Sequence, residues 1–306
     1  MTDPRGPWGP LAEPPHVDQH VAPDDPPWRE NCFFSLNDRD QRCFIIAHFQ
    51  GGRTGVGMFA RVSILQDDHL TEIYEPLDAM TFTSEHVSLD LSGRITAKTD
   101  EVELDVTLTP LRVPVDYSPS AALPGLRRAE PLQHFEQAGR FTGTVSTRWG
   151  SLNLAGTVIR DRTWGWRQDI ASWTEYYASF FSFDPAGFDG AGFDLAVMKF
   201  CTPDGDVPAH GALVGARTGE VVGAEIVRRD ETGTIVEFEV HLASGESMRL
   251  HLGKPEARIF CPLNDPKGPA ALTAYDDLVE IRVADGPGAG AVGFGIMEQG
   301  ILRRQV

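Results

Sequence analysis

Residues 102–108 read Val-Glu-Leu-Asp-Val-Thr-Leu. Such strict alternation of apolar and polar side chains admits little except a β-strand with one dry face and one wet face. The same period of two returns late in the chain. Val236, Phe238, Val240 and Leu242 share one face, and Met248, Leu250 and Leu252 share one across the turn at Ser244-Gly245. Weaker alternation marks further strands over 43–50, 54–65, 69–75, 85–91, 94–98, 140–148, 151–160, 173–183, 192–202, 209–216, 220–229, 275–283 and 291–299. Helical periodicity is missing from the first half. Short strands, dense turn signals and few helices predict an all-β, antiparallel protein built as two barrels or two large curved sheets.

A chain of 306 residues is long for one core and comfortable for two. Residues 1–27 are rich in Pro, Asp and His without periodicity, which predicts an extended arm laid over the surface or partly disordered. Pro110, Pro114, Pro119, Pro124 and Pro131 interrupt the strand pattern. A domain boundary is therefore expected within 109–132, separating a β-domain over 28–125 from a second over 126–306.

The formal net charge of −17 argues against nucleic acid and anionic lipid as partners and favours a small neutral or apolar one. No apolar run reaches the ~20 residues that span a bilayer, so no stable membrane insertion is expected. The N-terminus lacks a basic n-region and an apolar h-region, which predicts a cytoplasmic protein. Cys32, Cys43, Cys201 and Cys261 form no CxxC pair and read as reduced core residues. His16 and His20, two histidines in a flexible arm, read as solvated rather than metal-bound. No phosphate loop and no GxSxG elbow occur. Gly286-Pro-Gly-Ala-Gly290 is a turn without a strand–helix context. Neither a metal nor an organic cofactor is expected.

The octet Arg160-Asp161-Arg162-Thr163-Trp164-Gly165-Trp166-Arg167 is the unusual stretch. Tryptophan is costly to expose, and aspartate is costly to bury without a partner. Two readings stand side by side. One is an acid-bearing site walled by aromatic rings at the end of a strand. The other is a plug in which Trp closes a barrel end while Asp and Arg hold a turn. His134, just upstream, and Glu298, on the last strand, are further titratable groups beside aromatics. An acid buried among aromatic rings has its pKa raised and can protonate a carbon–carbon double bond. Aromatic faces then stabilise the cation, and water or a neighbouring π-bond captures it. In this scheme Asp161 is the acid, and His134 and Glu298 are partners or water-positioners. Trp164, Trp166, Trp173, Tyr176 and Tyr177 form the wall, with Arg162 and Arg167 among the substrate-binding residues.

The run Gly156 to Arg167, G-x-V-I-R-D-R-T-W-G-W-R, resembles the G-x-G-x-R-D-H-S-W-G-x-R motif of the AttH-like and carotenoid 1,2-hydratase proteins. His134-Phe-Glu-Gln137, Trp28-Arg-Glu-Asn31 and the closing Gly-Phe-Gly-Ile-Met-Glu strand fit the same pattern. The resemblance implies two lipocalin-like β-domains in tandem. It also implies an activity among hydration, dehydration and cyclisation of an isoprenoid, steroid-like or polyketide substrate, since the family includes carotenoid hydratases and lipocalin-like Diels–Alderases. It places the alkene-protonating acid at Asp161. Arg162 stands where His is common and Val158 where Gly is common. An Arg beside Asp161 lowers an aspartate's pKa unless the two side chains face opposite sides of a strand. A carrier of a small apolar ligand, and an interaction protein with a collapsed cavity, are the alternatives to an enzyme.

Overall fold

The computed structural model describes residues 6–15, 28–52, 57–78, 81–118, 132–166, 174–183, 192–202, 205–206, 208–264 and 270–304. They form two units of almost pure β-structure. The first contains ten strands: β1 (Trp28–Asp38), β2 (Cys43–Gly52), β3 (Gly57–Gln66), β4 (His69–Pro76), β5 (Val87–Asp90), β6 (Arg94–Lys98), β7 (Val102–Pro110), β8 (Val115–Asp116), β9 (Gln133–Thr147) and β10 (Gly150–Trp166). They lie in one curled antiparallel sheet of order β4-β3-β2-β1-β10-β9-β7-β6-β5, with β8 on β9. The second unit contains β11 (Glu175–Phe183), β12 (Phe193–Thr202), β13 (Gly205–Asp206), β14 (His210–Gly215), β15 (Gly219–Arg229), β16 (Ile235–Leu242), β17 (Ser247–Leu252), β18 (Ala257–Asn264), β19 (Ala270–Asp285) and β20 (Val292–Arg304). Its order runs β11-β20-β19-β17-β16-β15-β14-β12, and pairing of β12 with β11 closes an eight-stranded barrel. Among the described residues no helix is long and apolar enough to cross a membrane.

Alternation explains both cores. Val102, Leu104, Val106 and Leu108 of β7 are buried on one face, and Cys32, Phe34 and Leu36 of β1 lie on the same face. Each such side chain contributes about 1.5–3 kcal/mol on leaving water. In the barrel, Phe181, Phe183, Phe193, Phe238, Met248 and Leu250 fill the interior. Cys32, Cys43 and Cys201 are free thiols.

The structure corrects four expectations. The boundary does not fall within 109–132, because β9 pairs with β7 and β10 pairs with β1. The octet motif thus belongs to the first unit. The N-terminal segment is not a surface arm over residues 6–15: Gly6–Ala12 winds a 3-10 helix whose Trp8 and Leu11 are buried in the first core. Strand β10 does not stop at Arg160 but runs through the motif to Trp166. Strands β1 and β18 escaped the alternation pattern. In β1, Phe33 and Phe34 are adjacent and cover both faces, and β18 carries Pro262 and pairs only with β19, where an edge tolerates proline.

Two arginines of the motif are fully buried in the first core. Arg162 forms an ion pair with Glu30 at 2.6 Å and donates to the carbonyls of Asn31 and Thr163 at 3.2 and 3.1 Å. Its guanidinium lies over Trp164 and Phe82, 4.9 and 5.1 Å from the ring centres. Removing one partner of such a pair strands a buried charge, whereas removing both does not. Arg162→Met is expected to destabilise the protein by about 3–5 kcal/mol in urea unfolding. Adding Glu30→Gln should recover most of that loss.

Candidate functional site

The two longest strands of the first unit lie side by side. Their register sets Asp161 opposite Glu136 and Thr163 opposite His134. Residues two apart on a strand share a face. His134 and Glu136 on β9, with Asp161 and Thr163 on β10, therefore form one cluster. Strand β1 adds Asn31 opposite Thr163 and Phe33 opposite Asp161. Just past β8, the Tyr117 amide donates to the His134 carbonyl at 2.9 Å and draws the phenol over the same cluster.

The side chains connect in a chain. Tyr117 donates its hydroxyl to Glu136 Oε2 at 2.8 Å. His134 Nε2 lies 3.8 Å from Glu136 Oε1, and Nδ1 lies 3.8 Å from Asp161 Oδ1. The Thr163 hydroxyl bridges the second gap, 2.5 Å from Nδ1 and donating to Asp161 Oδ1 at 2.8 Å. Asn31 Nδ2 reaches the same oxygen at 3.5 Å. The side chains of His134 and Glu136 are 7% and 10% exposed while that of Asp161 is 20% exposed, so Asp161 is the end of the chain open to solvent.

One imidazole between two carboxylates is a proton-sharing arrangement. Burial, the neighbouring Glu136 carboxylate and Asp161 push the Tyr117 phenol well above its usual pKa, which keeps it a donor. His134, Glu136 and Asp161 are also the set that could offer a cation one ligand atom each, all within 4.8 Å of one another. The two ring nitrogens face different carboxylates, however. That geometry suits a proton path better than a shared coordination centre.

Strand alternation also decides what the arginines do. Arg160, Arg162 and Trp164 point to the core face, opposite Asp161. Arg162 takes Glu30, not Asp161, as its ion-pair partner. Trp164 is not a wall beside Asp161. It stacks on Phe135 in the core at 5.5 Å. Trp166 ends β10, and Arg167 and Trp173 lie outside the described residues. Glu298 belongs to the second unit, where the Tyr176 hydroxyl bonds it and Tyr176 stacks on Phe200 at 5.6 Å. Tyr177 is part of the barrel core. Of the residues that the sequence singles out, Asp161 and His134 lie together, 3.8 Å apart. Sequence reasoning missed Glu136, Thr163, Tyr117 and Asn31. The available signal was the pair of same-face spacings, His-x-Glu and Asp-x-Thr, on two strands.

A sequence profile of a family described as a domain of unknown function, DUF7064, matches residues 13–300. No curated protein matches the chain. Three solved structures are similar in fold. CghA with Sch210972 has a TM-score of 0.64 at 12% identity, covering 98% of this chain and 97% of that one. A protein of Nitrosomonas europaea described as an AttH has a TM-score of 0.61 at 15% identity, covering 93% and 95%. Kievitone hydratase from Nectria haematococca has a TM-score of 0.60 at 13% identity, covering 96% and 92%. The tandem lipocalin-like architecture of the AttH-like proteins is thus the fold of this chain.

One more imidazole shares the face of Asp161. His48 sits opposite Phe33 in the β1–β2 register, its ring edge-on at 5.4 Å. Burial, aided by the Arg61 guanidinium, lowers its pKa from 6.5 to about 4. The unfolded chain therefore takes up a proton below pH 6.5 that the folded chain does not bind until about 4. Stability should fall through that window by up to about 3 kcal/mol. In His48→Gln this component should vanish, read as a flatter dependence of the denaturation midpoint on pH.

Proposed function

The chain belongs to the DUF7064 family, and we propose that this member is a cofactor-independent hydratase, dehydratase or cyclase that transfers a proton to a carbon–carbon double bond of an apolar substrate. The observation that carries the reading is the chain of groups Asp161–Thr163–His134–Glu136 with its one solvent-facing end at Asp161. The fold likeness to kievitone hydratase and to CghA supports chemistry of this class.

The protonated Asp161 carboxyl gives its proton to an alkene carbon, and the adjacent carbon becomes cationic. Water adds to that carbon and loses a proton to the Asp161 carboxylate, so acid and base are the same group and the proton balance closes. Capture by a second π-bond of the substrate, followed by proton loss, yields a ring. While Asp161 is discharged, the Thr163 hydroxyl donates to its carboxylate, and His134, set between Thr163 and Glu136, orients that hydroxyl, with Glu136 itself fixed by Tyr117. Phe33, opposite Asp161, offers an aromatic face for the cation. Isoprenoid, steroid-like and polyketide alkenes fit this scheme. The barrel interior of the second unit is filled by phenylalanine and aliphatic side chains, which disfavours a carrier role there.

The test is turnover in isotopically labelled water with a panel of isoprenoid, steroid-like and polyketide alkenes and with kievitone, followed by mass spectrometry. Addition of one labelled water, or a cyclised isomer, is the expected product. Asp161→Asn should lower the rate at least about 100-fold while leaving the melting temperature nearly unchanged. Thr163→Val should cause a smaller loss and alter the pH–rate profile. Asp161→Asn with retained activity and a large loss of stability would assign Asp161 to architecture instead. A carrier would bind the same compounds unchanged, with Asp161→Asn binding as tightly.

A further inference from the structure

The core face of β10 holds an arginine that the proton path does not use. Arg160 is fully buried. Its hydrogen bonds go to neutral acceptors, the Leu91 carbonyl at 3.2 Å and the Leu11 carbonyl. Among the described residues no carboxylate bonds it, and its Nε has no hydrogen-bond partner. Burial above all lowers its pKa to about 10. A buried cation satisfied only by carbonyls is under-compensated, because a carboxylate acceptor makes a bond roughly twice as strong.

The space around Arg160 is filled by the chain's own N-terminal turn. The 3-10 helix Gly6–Ala12 kinks at Gly9, with φ 52° and ψ −129°. It lays Trp8 against the guanidinium, whose carbon is 4.8 Å from the Trp8 ring centre and 5.2 Å from that of Phe34. Trp8 is 2% exposed, and its Nε1 donates to the Ser92 carbonyl at 3.2 Å. The socket is cut to the indole. A Cβ on Gly93 would lie 2.9 Å from Trp8 Nε1, and one on Gly139 would lie 3.2 Å from the far edge of the ring. Arg162 reaches the carbonyls of Glu13 and Pro14 at 3.4 and 3.5 Å. A flat ring stacked on a guanidinium, with an oxygen acceptor on the same guanidinium, is how an aromatic acid would sit here. The one difference is that the acceptor now present is neutral.

We propose that this socket is a binding site for an aromatic monocarboxylic acid and that residues 6–14 are its built-in, displaceable occupant. The acid's ring takes the place of Trp8, and its carboxylate replaces the Leu11 carbonyl on Arg160. The exchange trades a neutral hydrogen bond for a charge-assisted one and puts a carboxylate in direct contact with an arginine that now feels Asp90 only at a distance. The site lies on the opposite face of β10 from Asp161 and does not depend on the proton-transfer reading.

The experiment uses the full chain and two probes that share ring and chain and differ at the terminal group, a carboxylate in indole-3-propionate and a neutral hydroxyl in indole-3-propanol. Hydrogen exchange of the wild-type protein should show the amides of residues 6–15 exchanging at least about tenfold faster with the acid at saturation, and unchanged with the alcohol. In Trp8→Ala, calorimetry should show the acid binding at least about tenfold tighter than the alcohol, with that preference lost in Trp8→Ala/Arg160→Met. Absence of acid-dependent exchange in the wild type overturns the proposal, whether or not Trp8→Ala folds. Equal affinity of Trp8→Ala for the two probes removes Arg160 from the site and overturns it as well.

Discussion

The antiparallel register of β9 against β10 is the constraint on which the first unit depends. It sets Asp161 across from Glu136 and Thr163 across from His134. Side chains alternate along both strands, so the same register sends Arg160, Arg162 and Trp164 to the opposite face. A slip of one residue would bury Asp161 in the apolar core and expose two arginines. That outcome costs several kcal/mol per misplaced charge, so the register is strongly specified. Motif residues that look crowded together in the sequence are in fact sorted into two chemically distinct layers.

The sorting keeps Arg162 away from Asp161. Beside a guanidinium, Asp161 would be held ionised and could not act as an acid. Glu30 on β1 takes Arg162, and carbonyls of Leu91 and Leu11 take Arg160. Asp161 accepts from the Thr163 hydroxyl and the Asn31 amide and lies 3.8 Å from the His134 imidazole. His134 arrives from the neighbouring strand and faces the Asp161 carboxylate. The motif is divided between the two faces of one strand. Its core-facing residues are structural, and its other face carries the titratable cluster.

The second unit is organised differently. Its sheet closes on itself through β11 and β12, which removes the open edges of the principal sheet and leaves an interior filled by side chains. Tyr176 and Tyr177 are neighbours in sequence but serve different surroundings: one bonds Glu298 and stacks on Phe200, the other lies in the barrel core. Grouping them as one aromatic wall ignored the pleat.

The sequence by itself determined the all-β class and most strands, because alternation is a local property and each strand carries its own record of which face is dry. It could not determine that β10 runs through the motif, since Arg160 and Arg162 look like wet-face residues until Glu30 and the N-terminal carbonyls are known to meet them. It could not place the boundary, since Pro110 to Pro131 interrupts the strand pattern without interrupting the sheet that resumes at β9. Glu136, Thr163, Tyr117 and Asn31 come together across four segments separated by up to 132 residues, and only strand pairing fixes which of them share a face. Local periodicity writes the strands; the register between them, a non-local quantity set by burial and charge compensation, decides the site.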